Sequence, residues 1–129
     1  MAFNNIVQST PVADVLVEIE TDPSSIGRSP TIEDNVTGNS GGLIYMVEID
    51  NHLNVDNTYV KFRFSASESS LVGTEAHMIL LAPGREIINY AFPGGVQYTT
   101  GLTGWVTTSA ALSAATLPIS KVTVKILAT

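Results

Sequence analysis

The sequence predicts an all-β domain, an antiparallel β-sandwich or jelly roll of about eight short strands with an extended N-terminal arm. Three observations predict it. Apolar and polar residues alternate in short runs, the runs are separated by Gly, Pro, Asn and Ser, and the 3.6-residue periodicity of a helix is nearly missing. Length sets the domain count. The chain has 129 residues, 44% of them hydrophobic and 14% charged, which allows one sizeable core and leaves no room for a second full domain.

The elements follow in chain order. Residues 1–12 form the expected arm, and 13–129 the single domain. Phe3, Ile6 and Val7 are the arm's main apolar points and do not follow one strand face; they are expected to reach a neighbouring subunit, so that deleting the arm would leave the domain folded. Asp14 to Glu20 alternates, with Val15, Val17 and Ile19 on one face, and predicts a half-buried strand. Between Thr21 and Gly42 the apolar residues Ile26, Ile32 and Val36 are isolated, and a long loop is expected.

Leu43, Tyr45, Val47 and Ile49 then alternate with Ile44, Met46 and Glu48, and Val60, Phe62 and Phe64 alternate with Tyr59, Lys61 and Arg63. The polar stretch Asp50 to Asn57 joins them as a hairpin with a long loop. Further strands are expected at Ala76 to Leu81, Glu86 to Phe92, Val96 to Thr100, Gly104 to Thr108 and Lys121 to Leu127. Pro83-Gly84, Pro93-Gly94-Gly95 and Pro118 punctuate them. The alanine-rich stretch Ser109 to Leu117 ends at a proline and is read as a loop.

Charge bears on partners. Twelve acids against six bases give a net −6, without the basic footprint of a nucleic-acid-binding protein, so no direct nucleic-acid binding is expected. Residues 1–50 contain eight of the acids and only Arg28 among the bases. That acidic third is expected to meet water or a basic surface. No run approaches the ~20 apolar residues of a membrane span, and Met1 to Asn5 has no basic region leading into an apolar run, so neither a membrane segment nor export is expected.

The chemistry-bearing residues point away from catalysis. Gly38-Asn39-Ser40-Gly41-Gly42 is similar to the nucleophile motif of chymotrypsin-like proteases, but His52 and His77 both follow Ser40, the reverse of that chain order. Asp50, Asn54 and Asp56 offer hard oxygens over a short loop, yet turn-forming Asp and Asn explain them without calcium. His77, beside an apolar run, is expected to be structural. Without cysteine, and with two histidines, neither disulfides nor an ordinary zinc site is expected, and no cofactor is expected. Asn35-Val36-Thr37 matches a glycosylation sequon without an export signal. Trp105, with Tyr98 and Tyr90 near it in sequence, could form an aromatic platform for a sugar, although core or subunit-interface positions fit these aromatics better. Tyr90, Phe92, Tyr98 and Trp105 are therefore the candidate interface residues of the domain, beside Phe3, Ile6 and Val7 of the arm.

A resemblance adds to these readings. The order Asn57-Thr58-Tyr59-Val60-Lys61-Phe62-Arg63-Phe64, Val72-Gly73-Thr74-Glu75, Phe92-Pro93-Gly94-Gly95-Val96-Gln97-Tyr98-Thr99-Thr100-Gly101-Leu102, Val106-Thr107-Thr108 and Val122-Thr123-Val124-Lys125-Ile126 resembles small virion structural proteins of tailed bacteriophages, including capsid cement (decoration) proteins. It runs from Asn57 to Ile126. The resemblance implies a homotrimer, made in the host cytoplasm, that sits on the virion surface and clamps the major capsid protein. The alternatives are a head-tail or tail-associated virion component, or a carbohydrate-binding module.

Overall fold

The computed structural model describes residues 15–20, 32–33, 37–65, 76–111 and 118–129, the first two stretches as backbone only. The arm, with Phe3, Ile6 and Val7, lies outside the described residues, as do most of the expected loop before Gly42 and residues 112–117. Eight strands are assigned: β1 (Val15–Glu20), β2 (Ile32–Glu33), β3 (Gly41–Asp50), β4 (Thr58–Arg63), β5 (Met78–Ala82), β6 (Ile87–Thr99), β7 (Thr103–Thr107) and β8 (Thr123–Ala128). The described residues contain no helix. The chain is all-β, as expected.

The strands form two antiparallel sheets, ordered β1-β8-β3-β6 and β2-β7-β4-β5. Each has a three-strand centre, β8-β3-β6 or β7-β4-β5, to which β1 or the two-residue β2 adds at an edge. One core cluster draws on both sheets: Ile44, Val47, Ile49, Val124 and Ile126 from the first, and Val60, Phe62, Leu80 and Val106 from the second. The arrangement is sandwich-like.

Three local expectations are corrected. In β3 the alternation changes phase, because the pairings with β6 and β8 both shift register between Ile44 and Met46. Val47 and Ile49 face the core as expected, whereas Ile44 is buried there in place of Leu43 and Tyr45. An extra residue in one strand re-aims every side chain beyond it. In addition, the two strands expected on either side of Pro93-Gly94-Gly95 are one, β6. It survives the proline because β6 is an edge strand, where a missing N–H leaves no ladder bond unmade, and Gly94 and Gly95 take φ of 84° and 83°. The loop expected between Asp50 and Asn57 does not close a hairpin either: β3 and β4 lie in different sheets.

Topology decides where a site can form. Only β4 and β5 are both consecutive and paired; from β3 onward every other link, β3–β4, β5–β6, β6–β7 and β7–β8, joins one sheet to the other. Pairings of Asp50 with Ile87 and Thr123, of Thr58 with Ala82 and of Tyr59 with Thr107 place three of these crossings, all but β6–β7, at the same end. The opposite end is closed by the last residue. Thr129 donates its N–H to the Leu43 carbonyl (2.9 Å), its hydroxyl accepts from the Leu43 N–H (2.9 Å), and its carbonyl accepts from the Tyr98 hydroxyl (2.7 Å).

The outer face of the second sheet is covered over β7 and the middle of β4, whereas Ile79 and Leu81 of β5, on the same face, are exposed. Every residue of β7 is buried. Lys61, on β4, is 0% exposed and is the cross-strand partner of Trp105; its ammonium donates to the Ala111 carbonyl at 2.7 Å. Burial pushes the Lys61 pKa down. Thr103 and Thr107, on the same face, donate to the carbonyls of Ser65 and Ser109 (2.6 and 2.7 Å).

Candidate functional site

The interface residues expected on β6 and β7 do not assemble into a surface. Tyr98 is 1% and Trp105 2% exposed: Tyr98 projects into the core between the sheets, and Trp105 lies on the covered outer face beside Lys61. Tyr98 is a latch: its hydroxyl donates to Thr129 and meets the Thr37 hydroxyl at 2.6 Å. Tyr90 and Phe92 are half-buried and pack against the core, and the Tyr90 hydroxyl donates to the Leu81 carbonyl at 2.6 Å, tying the edge of one sheet to the edge of the other. A sugar platform built on Trp105 and Tyr98 is thereby corrected: neither ring faces solvent.

Of the exposed aliphatic residues among those described, Ile79 and Leu81 lie on β5 and Ile87 at the start of β6, and the other three gather in one place. Val55 is 70%, Ile119 84% and Leu53 45% exposed, and all three line a cavity of about 370 Å³ at the end where the three crossings meet. Scattered apolar side chains need no explanation, but three around one concavity do. The sequence carried a faint signal for them, Leu53 and Val55 two apart in an otherwise polar loop and Ile119 after Pro118, and reasoning from alternation passes over such points.

A buried amide network holds this rim. Asn51 is 0% exposed. Its Nδ2 donates to the carbonyls of Asp56 (3.0 Å), Ala82 (3.0 Å) and Pro83 (3.1 Å), and its Oδ1 accepts from Asn54 Nδ2 (2.9 Å). Asn54 reaches across the end of the domain: Nδ2 donates to the Ser120 carbonyl (3.0 Å) and Oδ1 accepts from the Ser120 N–H (2.7 Å). One loop, one turn and the approach to β8 are thus locked together, which fixes Leu53 and Val55 relative to Ile119. Gly84 completes the lock by close approach, since a Cβ there would lie 1.9 Å from the Val55 carbonyl oxygen.

Of the residues considered for calcium, Asn54 and Asp50 use their side-chain oxygens within this scaffold, and Asp56 enters it through its backbone carbonyl. Asn54 is bonded as above, and Asp50 accepts from the His52 N–H (3.1 Å) and hydrogen-bonds the His52 ring. No group of three potential metal ligands occurs among the described residues. His77 is structural in its contacts: its Nδ1 accepts from the Phe64 N–H at 2.8 Å, and its ring stacks on Phe64 with centroids 4.8 Å apart.

Asp50 supplies a pH signature for this end. Burial pushes its carboxyl up, but hydrogen bonds from the His52 side chain and backbone, with the charges of His52 and Lys125, outweigh burial and hold it below its ordinary 3.8. A depressed carboxyl stabilises the fold fully above the unfolded-state value and loses that contribution as pH falls through the lower folded value. The stability gap between wild type and Asp50→Asn should therefore shrink as pH falls below 3.8. Urea titrations across that range check it, and a gap unchanged down to about pH 2 would contradict it.

Compared with protein-family models, with curated proteins and with solved structures, the chain matches none.

Proposed function

We propose that this chain is a virion structural protein, a capsid cement protein of a tailed bacteriophage, that binds the outer shell as a homo-oligomer, a trimer by preference, and bridges major capsid protein subunits. We read its two sheets as a β-sandwich of the jelly-roll type. One observation carries the reading: three exposed aliphatic residues, Leu53, Val55 and Ile119, are held on a rigid scaffold at one end of the domain. Exposed apolar groups on a preorganised frame suit protein docking, because little side-chain or loop freedom is lost on contact. The resemblance between Asn57 and Ile126 supports the shell as the partner. The carbohydrate alternative has lost the aromatic residues on which it rested.

Binding only to the assembled shell would stabilise that shell by mass action, by roughly 2.7 kcal/mol per site at a hundredfold excess over Kd. The test is to strip shells of this protein, measure their rupture temperature and add the chain back. Rupture temperature should rise with occupancy, and no rise at full occupancy would overturn the reading. If the acidic first third contributes, salt should weaken rebinding, because exposed charges are screened beyond about 8 Å at physiological ionic strength. Sedimentation equilibrium should give a mass above the 13.7 kDa of the monomer.

A further inference from the structure

The end of the second sheet away from the three crossings holds a histidine whose ring is used as an acceptor. The His77 N–H donates to the Phe62 carbonyl at 2.8 Å, although the register partner of Phe62 is Met78, so two consecutive residues oppose one, as in a β-bulge. A bulge takes a side chain out of the regular alternation. Here the ring lies over Phe64, with centroids 4.8 Å apart and the planes 22° from parallel, and its Nδ1 accepts the Phe64 N–H at 2.8 Å. A backbone N–H can only donate, so Nδ1 carries no proton and the ring is the neutral tautomer with its hydrogen on Nε2. His77 is exposed, so protons from solvent reach it.

We propose that His77 is an acid-released clasp: protonation of its ring breaks the bond to the Phe64 N–H and frees that amide at the end of β4, while the ring stays stacked on Phe64. A protonated imidazole carries hydrogen on both nitrogens, which would set two donors against each other at Nδ1. The stack survives because a cation over an aromatic face gains a favourable contact of its own. The change is confined to one bond. Ser65, next along the chain, donates its N–H to the Arg63 carbonyl (3.0 Å) and accepts from the Thr103 hydroxyl (2.6 Å), and the His77 N–H bonds to Phe62 through backbone alone.

Other charges do not make this contact. β4 carries Lys61, bonded to the Ala111 carbonyl, and Arg63, and β5 and β7 carry no charged residue. Glu33 of β2 stands in register with Gly104, itself the partner of Phe62. In the facing sheet Glu48 and Lys125 pair with each other at 4.0 Å, and Asp50 lies at the far end beside His52. Of the titrating groups, it is the His77 ring that bonds the Phe64 N–H.

The test is NMR of the isotope-labelled full chain, taken from pH 8 downward until the ring shifts of His77 report full protonation. Hydrogen exchange, divided by the intrinsic rate at each pH, gives the protection of each amide. Phe64 protection should fall about tenfold as the ring protonates, the worth of one hydrogen bond, while the His77 amide keeps its own. His77→Asn puts a side-chain oxygen that does not titrate close to the place of Nδ1, and should hold Phe64 protection constant. His77→Phe keeps the stack without the acceptor, and should hold it at the low value at every pH. Phe64 protection that ignores the His77 titration in wild type would overturn the proposal, as would a loss in His77→Asn as large as in wild type, which would place the titrating group elsewhere. A His77 amide that loses protection in step with Phe64 would mean that the strand pair opens as a whole, and would overturn the one-bond clasp.

Discussion

Asn51→Asp should cost about 3–5 kcal/mol of stability, the largest effect of any isosteric change at the rim of the cavity. The two side chains have the same shape, so packing is not at issue. What changes is the hydrogen-bond sense. Asn51 Nδ2 donates to three carbonyls, those of Asp56, Ala82 and Pro83, while Oδ1 accepts from Asn54. An aspartate would turn an acceptor toward all three carbonyls from a position that is 0% exposed. Against a total stability of ~5–15 kcal/mol, the loss is a large fraction.

The variant also has a pH signature opposite to that of Asp50. A buried carboxyl among carbonyls is held above its unfolded-state pKa, so its penalty is relieved as protonation restores one donor. Stability of Asn51→Asp relative to wild type should therefore improve as pH falls toward about 4. Denaturant titrations at several pH values check both claims, and a penalty under about 1 kcal/mol and independent of pH would show that the amide network carries little.

Much of the fold is legible in the sequence, and the reasons for the rest are physical. Alternation locates β4 and β8, where Val60, Phe62, Val124 and Ile126 do face the core. It fails in β3 ahead of the register shift, at Leu43 to Tyr45, because a bulge inserts one residue that leaves no mark in an apolar run. Alternation also identifies the two faces of a strand without telling whether a loop covers the second. That is why Lys61, on the polar side of β4, is buried beneath Ala111, and why Trp105, its cross-strand partner, is buried on the same face.

The candidate site was less legible still. Asn51 and Asn54 have the composition of turn formers bonding their own backbone, yet Asn54 reaches Ser120, 66 residues away. Contacts of that range follow from the crossing of chains between sheets, which no local pattern encodes. Leu53, Val55 and Ile119 stand out only once those crossings are brought to one end.

Trp105→Ala should cost about 3–5 kcal/mol, because removing a buried indole leaves a void that its neighbours fill only in part. Trp105→Phe should cost much less, about 1–2 kcal/mol, since the indole Nε1 has no hydrogen-bond partner to lose. A surface aromatic used for binding would give the reverse pattern: alanine would leave stability within about 0.5 kcal/mol of wild type and remove only affinity. Equilibrium unfolding of the two variants separates the cases. Lys61 offers a second measurement, because it lies across the strand pair from Trp105 and its pKa is pushed down by burial. Opening the covered face to water should release that pressure, so the Lys61 ammonium of Trp105→Ala, followed by its side-chain NMR shifts, should titrate closer to the ordinary 10.5 than in wild type. An alanine variant with wild-type stability and an unmoved Lys61 would mean that the tryptophan is not the cover of this face, and the burial of both would need another cause.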